Sequence, residues 1–290
     1  MTELAGPDRA ASAEQIGLSH REAAAAPQSA AKTQSATTPR DATSWAPKVD
    51  RLAVDQRKGV RGTNVAGRRL TGPVQGFGKM WQKTYRMDVG PAIEPAAAIA
   101  LWRSNFPDFW PKGNRFAGAL TGINPGDVAL LDLAVGGGVK LSTGVYVLYA
   151  DTESFTLMTP QGHMFAGWIT FSAESAGDGT IVQAQVLMRA SDPIYELGMT
   201  LGGHRKEDKF WVATLRALGD RLGVPDAPIT ANNSCVDAKR QWRHAGSVWH
   251  NSMVRSVLQT IAAPITALRR GGRRRSSGTR EEPAAPVSEK

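Results

Sequence analysis

The chain has 290 residues, a hydrophobic fraction of 41% and a formal net charge of +9. Its single cysteine, Cys235, excludes an intramolecular disulfide and a thiolate metal cluster within one chain. The sequence has no run of about 18 uncharged apolar residues and no apolar leader, so we expect a cytoplasmic protein without a spanning segment. Residues 76–225 carry a net charge of −1 and the positive excess lies in the flanks, which disfavours nucleic acid as a partner of the folded region.

Composition divides the chain into four parts. Residues 1–75 are rich in small and polar residues and cannot bury enough apolar surface to offset the entropy of ordering, so we predict that they are mostly disordered. The same reasoning predicts a disordered tail over residues 271–290. Residues 76–225 are sufficient for one domain. Residues 226–270 are predicted to form a basic, amphipathic helical extension.

The first predicted elements are a strand and a helix. Lys79 to Val89 is rich in aromatic residues and favours a strand, and its mixed faces favour an edge position. Pro95, followed by an alanine-rich run, predicts a helix of about three turns. The connection over residues 107–127 contains prolines and glycines but also large aromatic side chains. It is predicted either to fold over an opening as a lid or to be a loop fixed by its aromatics.

From Asp127 the pattern changes to short alternating runs separated by glycine-rich turns. Five such runs without intervening helices predict an antiparallel meander. At its centre, two apolar runs flank the turn residues Thr159 to His163 in FTLMTPQGHMFAGWITFSA, which predicts a pair of adjacent strands.

A long helical segment follows. Asp192-Pro193 has the residues of a helix start. Apolar residues at helical spacing predict an amphipathic second half: Trp211, Leu215, Leu218 and Leu222. Gly202-Gly203 is predicted to weaken or kink the helix, and Gly223 to end it.

The order of these elements predicts an α+β fold in which a curved antiparallel sheet wraps around one long C-terminal helix, with disordered flanks. Over residues 76–224, this order, together with TPQGHMFAGWITFSA and SDPIYELGMTLGGHRKEDKFW, resembles the helix-grip fold of the START-related (SRPBCC) superfamily, in a bacterial branch of unknown function.

The resemblance implies an apolar cavity between the sheet and the long helix that binds a hydrophobic small molecule or lipid. It leaves open an enzyme of the polyketide cyclase, dehydratase or hydrolase kind that uses the same cavity, because no catalytic motif is shared across the superfamily. A third hypothesis is a scaffold whose basic tail contacts nucleic acid. No cofactor is predicted.

Aromatic and polar residues near the expected opening are the candidates for the cavity or its mouth. They are Phe109, Trp110, Phe116, Tyr149, His163, Trp168, His204, Arg205 and Trp211. His163 follows the turn glycine. It either contacts a ligand or acts as an acid or base, or it only bonds the turn backbone or meets solvent, and the second interpretation is favoured. His204 or Arg205 is a candidate for an anionic head group. An ordinary solvated face is the favoured interpretation of the charged run that contains them and extends to Asp208.

The basic extension offers a second kind of contact. A tryptophan, an apolar face and flanking arginines favour the surface of an anionic membrane, with Trp249, Met253, Arg255, Arg269 and Arg270 as the candidate contacts. A helix docked on the domain or on a second subunit explains the same pattern. The oligomeric state is left open. No metal site is predicted, because the histidines lack ligand spacing.

Overall fold

An eight-stranded antiparallel sheet organises the chain from Ala42 onward. The computed structural model describes residues 41–54, 62–118, 122–136 and 139–258. The strands are β1 (Met80–Gly90), β2 (Arg115–Ala117), β3 (Val128–Gly136), β4 (Val139–Ala150), β5 (Ser154–Met158), β6 (Phe165–Ala176), β7 (Gly179–Ala190) and β8 (Ile229–Asp237). Their order in the sheet is β2-β3-β4-β5-β6-β7-β1-β8, and each neighbouring pair is antiparallel.

Four α-helices accompany the sheet in the described part of the chain. They are α1 (Pro95–Ser104), α2 (Pro193–Gly198), α3 (His204–Leu222) and α4 (residues 252–258). A π-helical segment, Met199–Gly203, joins α2 to α3, and the backbone leaves helical geometry at Leu201 and Gly202. The predicted kink is therefore confirmed. Gly202 has a φ of 112°, which a residue with a side chain rarely adopts.

The helix-grip arrangement is confirmed. Leu215 and Leu218 of α3 are fully buried in a cluster that also contains the inward residues of the sheet. Fully buried aromatic side chains form the centre of this cluster, namely Trp102 and Phe106 with Phe155 and Phe171, whose ring centroids lie 4.7 to 6.1 Å apart in the contacting pairs. Because both apolar faces meet there, sheet and helix bury one shared core.

The predicted edge position of β1 is wrong. β1 lies between β7 and β8, and β8 was not predicted at all. Almost every residue of β8 is exposed, so its sequence ITANNSCVD lacks the apolar alternation by which a strand is recognised. The mixed faces of β1 have a different cause, since Lys83 is completely buried on the inner face together with Tyr85.

Part of the N-terminal 75 residues packs on the other face of the sheet. Leu52 and Val65 are buried in a second cluster with Leu130 and Tyr146. Leu130 and its neighbour Leu131 belong to different clusters, because successive strand residues point to opposite faces. The described residues 42–54 and 62–75 thus contribute a layer on the convex side of the sheet, a role that their composition did not indicate.

The C-terminal extension differs from the single helix that its pattern predicted. Trp242–His250 is a 3₁₀ helix, and the chain then breaks at Asn251 before α4 begins. The Asn251 side chain accepts hydrogen bonds from the backbone N–H groups of Met253 and Val254, as an N-cap does. The residues predicted to continue this helix beyond 258 lie outside the described residues.

Gly167 permits the close approach of β6 to β7, which yields a stability test. A Cβ atom there would lie 2.2 Å from the Leu187 carbonyl oxygen, so we expect Gly167→Ala to lower the free energy of unfolding by about 1–3 kcal/mol. Gly198→Ala is the control, because open space surrounds that helical glycine, and it should be neutral or stabilising by up to ~1 kcal/mol. Urea denaturation measures both, and equal midpoints would contradict the expectation.

Candidate functional site: an apolar cavity with a buried ionic cluster

A cavity of about 380 Å³ lies between the concave face of the sheet and the helices. Strands β3 to β7, helices α2 and α3, the π-helical segment and Met253 contribute to its wall. Most of the side chains are aliphatic or aromatic, among them Leu131, Leu133, Val145, Leu157, Phe165, Ile169, Val186, Met188, Met199 and Phe210. The polar and charged members are Asn114, Thr159, His163, Tyr195, Lys206 and Glu207.

Four of the nine residues predicted for the cavity or its mouth lie on this wall. They are Trp110, His163, Trp168 and Trp211. Trp211 packs on Phe171 with ring centroids 5.5 Å apart, and Trp110 packs on Phe210 at 5.1 Å. The ring of Trp168 extends towards Gly72. Whether any of these side chains contacts a ligand stays a prediction.

Five predicted residues lie elsewhere. Phe109 and Phe116 are buried in the core, and Phe116 packs on Phe106. Tyr149 makes an edge-to-face contact with Trp45 on the convex side. A register shift between Val147 and Tyr149 turns its side chain to the face opposite the one that simple alternation along β4 predicts. His204 packs on Trp81, and Arg205 is exposed. Neither is part of the wall.

The residues predicted for membrane contact are divided by the break at Asn251. Trp249 is 83% exposed, whereas Met253 lines the cavity and Arg255 is half-buried. Trp249 and Met253 therefore do not form one continuous helical face. Arg269 and Arg270 lie outside the described residues.

His163 is held by its own turn. Its Nδ1 accepts a hydrogen bond from the backbone N–H of Phe165 at 3.0 Å, and the side chain is buried. Burial lowers the pKa of His163 to about 4, so the imidazole is neutral at pH 7. The favoured interpretation, a histidine bonded to the turn backbone, agrees with these contacts.

The C-terminal segment closes one side of the cavity. Asp192 caps α2 by accepting from the backbone N–H groups of Ile194 and Tyr195, and Asn251 Nδ2 donates to its other oxygen at 2.8 Å. The Tyr195 hydroxyl accepts from the Met253 N–H at 3.0 Å. The Asn251–Asp192 hydrogen bond thus joins the N-cap residues of α2 and α4. The bond to Tyr195 holds Met253 in the cavity wall.

A buried ionic cluster adjoins the cavity, and sequence reasoning missed it. Lys83 Nζ lies 2.9 Å from Glu207 Oε2 and 2.8 Å from Asp208 Oδ1. Asp208 also accepts from the Tyr85 hydroxyl at 2.6 Å and from Asn233 at 3.1 Å. The interpretation of Glu207 and Asp208 as an ordinary solvated face is wrong, because α3 turns both towards Lys83.

The positions of Lys83 and Glu207 in the sequence do indicate the buried ionic cluster. Lys83 alternates in phase with Tyr85, Met87 and Val89, all of them buried. Glu207 stands one helical turn before Trp211, at the start of the apolar stripe of α3. A lysine and a glutamate that each fall on an otherwise apolar face indicate a buried pair.

Burial raises the pKa of Glu207 to about 7, and the charge of Asp208 acts in the same direction, while Lys83 opposes them. The pKa of Asp208 is lowered, because hydrogen bonds from Lys83 and Tyr85 outweigh its own burial. Burial and the charge of Lys83 lower the pKa of His204 to about 4. The cluster therefore holds a carboxyl group whose pKa lies near neutral pH.

Within the described ranges, no three His, Cys, Asp or Glu side chains are grouped so that they could hold a metal ion. No helix in the described part of the chain is long and apolar enough to cross a membrane.

No protein-family model matches the chain, and no match is found among curated proteins. Solved structures of low identity match about half of the chain. A START superfamily protein from Mycobacterium smegmatis is 22% identical, with a TM-score of 0.34 over 50% of this chain and 98% of that one. Major latex-like protein 151 from Panax ginseng is 13% identical, with a TM-score of 0.30 over 48% and 97%.

The di-domain aromatase/cyclase StfQ from the steffimycin biosynthetic pathway is 13% identical, with a TM-score of 0.40. The match covers 50% of this chain and only 53% of StfQ. Matches at this level of identity and TM-score leave open what the chain binds.

The raised pKa of Glu207 leads to a test of stability against pH. Between its ordinary value of 4.5 and about 7, the folded protein holds a proton that the unfolded chain has lost, so ionisation of Glu207 costs stability as the pH rises. Glu207→Gln removes this cost. Its free energy of unfolding relative to wild type should rise between pH 4.5 and 7, by at most ~3 kcal/mol.

Asp208→Asn is the matched control, and its effect has the opposite sign. The pKa of Asp208 is lowered below 3.8. The free energy of unfolding of wild type should therefore increase relative to that of this variant as the pH rises towards that value. Urea titrations at several pH values measure both differences. If the difference in free energy of unfolding between Glu207→Gln and wild type stays constant with pH, the pKa of Glu207 is not raised in the folded protein.

Proposed function

We propose that the chain binds a hydrophobic small molecule or lipid in the cavity between the sheet and α3. The observation that supports this most directly is the cavity itself, whose volume of about 380 Å³ falls within the range of about 300–1,000 Å³ typical of small-molecule sites. Its predominantly apolar wall favours an apolar ligand body, because such a ligand leaves few polar groups unpaired on burial.

The alternative explanation, a packing defect, is disfavoured by its energetics. Protein interiors are close-packed, and voids larger than a water molecule are few in a domain. Side chains that border an empty apolar space lose their dispersion contacts, and a bound apolar molecule restores them. The rest of the core is tightly packed, with fully buried aromatic rings in mutual contact. A cavity of this size beside such a core is better explained as a site for a ligand.

We further propose that the cavity exchanges its ligand at an anionic membrane surface. Ile194 and Leu201 both line the cavity and are 39% and 78% exposed, so they stand at its mouth. Leu197 is 60% exposed on the same helical segment. Arg205 and Lys206, also exposed, follow on α3. Apolar side chains beside basic ones suit the interface of an anionic bilayer.

An enzyme acting in the same cavity is the second candidate, and the presence of titratable groups on the wall favours it. Such an enzyme needs at least two inward polar groups, and His163, Tyr195 and Glu207 all line the cavity. A carboxyl group with its pKa near 7 has the proton affinity that general acid–base catalysis uses at neutral pH. An enzyme must also bind its substrate in this cavity, so measurements of ligand binding test both candidates.

Filling the cavity tests the binding proposal. Val186 lines the wall, so Val186→Phe should occupy part of the space and weaken binding of the apolar fluorescent probe N-phenyl-1-naphthylamine by about tenfold or more. Val236→Phe is the control, since Val236 is an exposed residue of β8 away from the wall. Native mass spectrometry of the purified protein should also show bound lipid. A wild-type chain that neither carries lipid nor binds the probe would overturn the proposal.

Vesicle flotation tests the membrane proposal. The double variant Leu197→Ser, Leu201→Ser should bind phosphatidylglycerol vesicles about tenfold more weakly than wild type, because each serine removes apolar area from the interface. Val236→Ser, an exposed change on β8, should leave binding unaltered. Wild type should bind phosphatidylcholine vesicles only weakly. Equal binding of the double variant and wild type counts against a membrane role for the mouth.

A further inference from the structure

The arginines that are half-buried in the described part of the chain fall into two groups. Arg86, Arg103 and Arg216 donate hydrogen bonds to side-chain or backbone oxygens. The guanidinium groups of Arg68 and Arg255 donate to no oxygen among the described residues. A guanidinium group carries five N–H donors, and polar groups that are shielded from water normally have hydrogen-bond partners. The surroundings of these two arginines therefore require an explanation.

The two arginines lie near each other, beside His250. Arg68 Nη1 is 3.0 Å from His250 Nδ1, and the imidazole nitrogen is the acceptor because a guanidinium group can only donate. Burial, and then the charge of Arg255, lowers the pKa of Arg68. Burial and the charges of both arginines lower the pKa of His250. Within the described ranges, no ion pair joins any of the three to a carboxylate.

Buried contacts hold this cluster in place without using its charges. Asn64 Nδ2 donates to the Ser252 carbonyl oxygen at 3.4 Å and to Ser256 Oγ at 3.1 Å, and all three residues are buried. Arg68 follows Asn64 by four residues, and Arg255 lies between the two serines on α4. The segment before β1 and α4 are thus joined at this point. The like charges are kept together by the fold and have no neutralising partner of their own.

We propose that Arg68, His250 and Arg255 form a binding site for a phosphate group. Two guanidinium groups match the charge of a phosphate dianion, and their planar forks bind its oxygens in a bidentate manner. The His250 ring accepts at Nδ1, so its proton is on Nε2 and is available to the anion. All three side chains are half-buried, so solvent and ions reach them. None of them lines the cavity, so the inference goes beyond the proposed function.

A basic patch that serves only solubility explains these observations less well. Solubilising charges are normally exposed and separated, because like charges that lie together repel each other. Here the repulsion between Arg68 and Arg255 adds to the cost of their partial burial. Arg86, which is also half-buried, meets the same cost through its ion pair with Glu174. A bound anion does for Arg68 and Arg255 what Glu174 does for Arg86.

The phosphate group can belong to a soluble molecule or to the headgroup of a lipid. Trp249, which precedes His250 and is 83% exposed, is a residue type enriched at membrane interfaces. The half-buried position of the two arginines equally suits a small anion. The recognised chemistry is the same in both cases, and two arms of the experiment distinguish the sources.

The first arm is calorimetric titration of inorganic phosphate into the full chain, in chloride buffer at constant ionic strength. Wild type should bind with a Kd of about 1 mM or tighter. Arg68→Gln and Arg255→Gln should each weaken binding about tenfold or more, because each removes charged hydrogen bonds. Arg86→Gln is the matched control, since it removes the same charge from a half-buried arginine that already has a carboxylate partner. Acetate, with a single charge, should bind at least about tenfold more weakly than phosphate.

The second arm is flotation with phosphatidylcholine vesicles that contain phosphatidic acid or, at the same mole fraction, phosphatidylglycerol. Phosphatidic acid exposes a phosphate monoester, whereas the phosphate of phosphatidylglycerol is a diester. If the source is a lipid, wild type should prefer phosphatidic acid about fivefold or more, and Arg68→Gln should lose that preference while Arg86→Gln keeps it. Circular dichroism verifies that each variant is folded.

Either arm can support the site, and three results refute it. Wild type that binds no inorganic phosphate and shows no preference for phosphatidic acid lacks the site. Equal losses in Arg68→Gln and Arg86→Gln mean that net charge alone attracts the anion. Acetate bound as tightly as phosphate overturns the choice of phosphate. Should Arg68→Gln be unfolded, Arg255→Gln decides in its place. Arg68→Gln should bind N-phenyl-1-naphthylamine as wild type does, so failure of this site leaves the cavity proposal standing.

Discussion

The position of α3 depends on one buried cation. Lys83 projects from the inner face of β1 into a space from which water is excluded, and a lone ammonium group there would be prohibitively costly. The first turns of α3 supply both carboxylates that offset it, and β8 supplies Asn233, which holds Asp208. These contacts fix the rotation of the helix about its axis and its position along β1. The apolar stripe of α3 meets the sheet in the register that this cluster sets, and the cavity is the space left over towards β3 to β7.

Much of the sheet could be predicted because its central strands are half-buried and alternate clearly. In β7, Val182, Ala184, Val186 and Met188 are all buried, and the glycine-rich turns that precede and follow such runs set their ends. β8 could not be predicted in this way, since an exposed edge strand has no buried face to impose alternation. The average composition of the first 75 residues hid the contribution of residues 42–54 and 62–75 for a similar reason. A few apolar side chains such as Leu52 and Val65, separated by polar residues, suffice to cover a convex face that needs little additional burial.

The site was less predictable than the fold, because its chemistry depends on pairs that only the folded chain brings together. Trp110, His163, Trp168 and Trp211 were accessible to reasoning, as aromatic or turn residues next to the expected opening. Glu207 was not, since HRKEDK has the composition of a solvated surface and only the phase of the helix shows that one of its acids turns inward. Tyr149 illustrates the reverse error. Strict alternation along β4 predicts that Tyr149 faces the same side as Val145 and Val147. One extra residue in β4 turns it to the other face.

The cavity also depends on a part of the chain that the fold class does not specify. The sheet and α3 leave one side open, and the segment after β8 returns to close it with Met253. That return is held by polar contacts, because Asn251 donates to Asp192 while capping α4, and Ser252 donates to the Gly162 carbonyl oxygen. Asp192 caps α2 at the same time. The two segments that border the cavity at this side therefore share one buried hydrogen bond, so the geometry of the wall at Met253 and the start of the mouth helix cannot change independently.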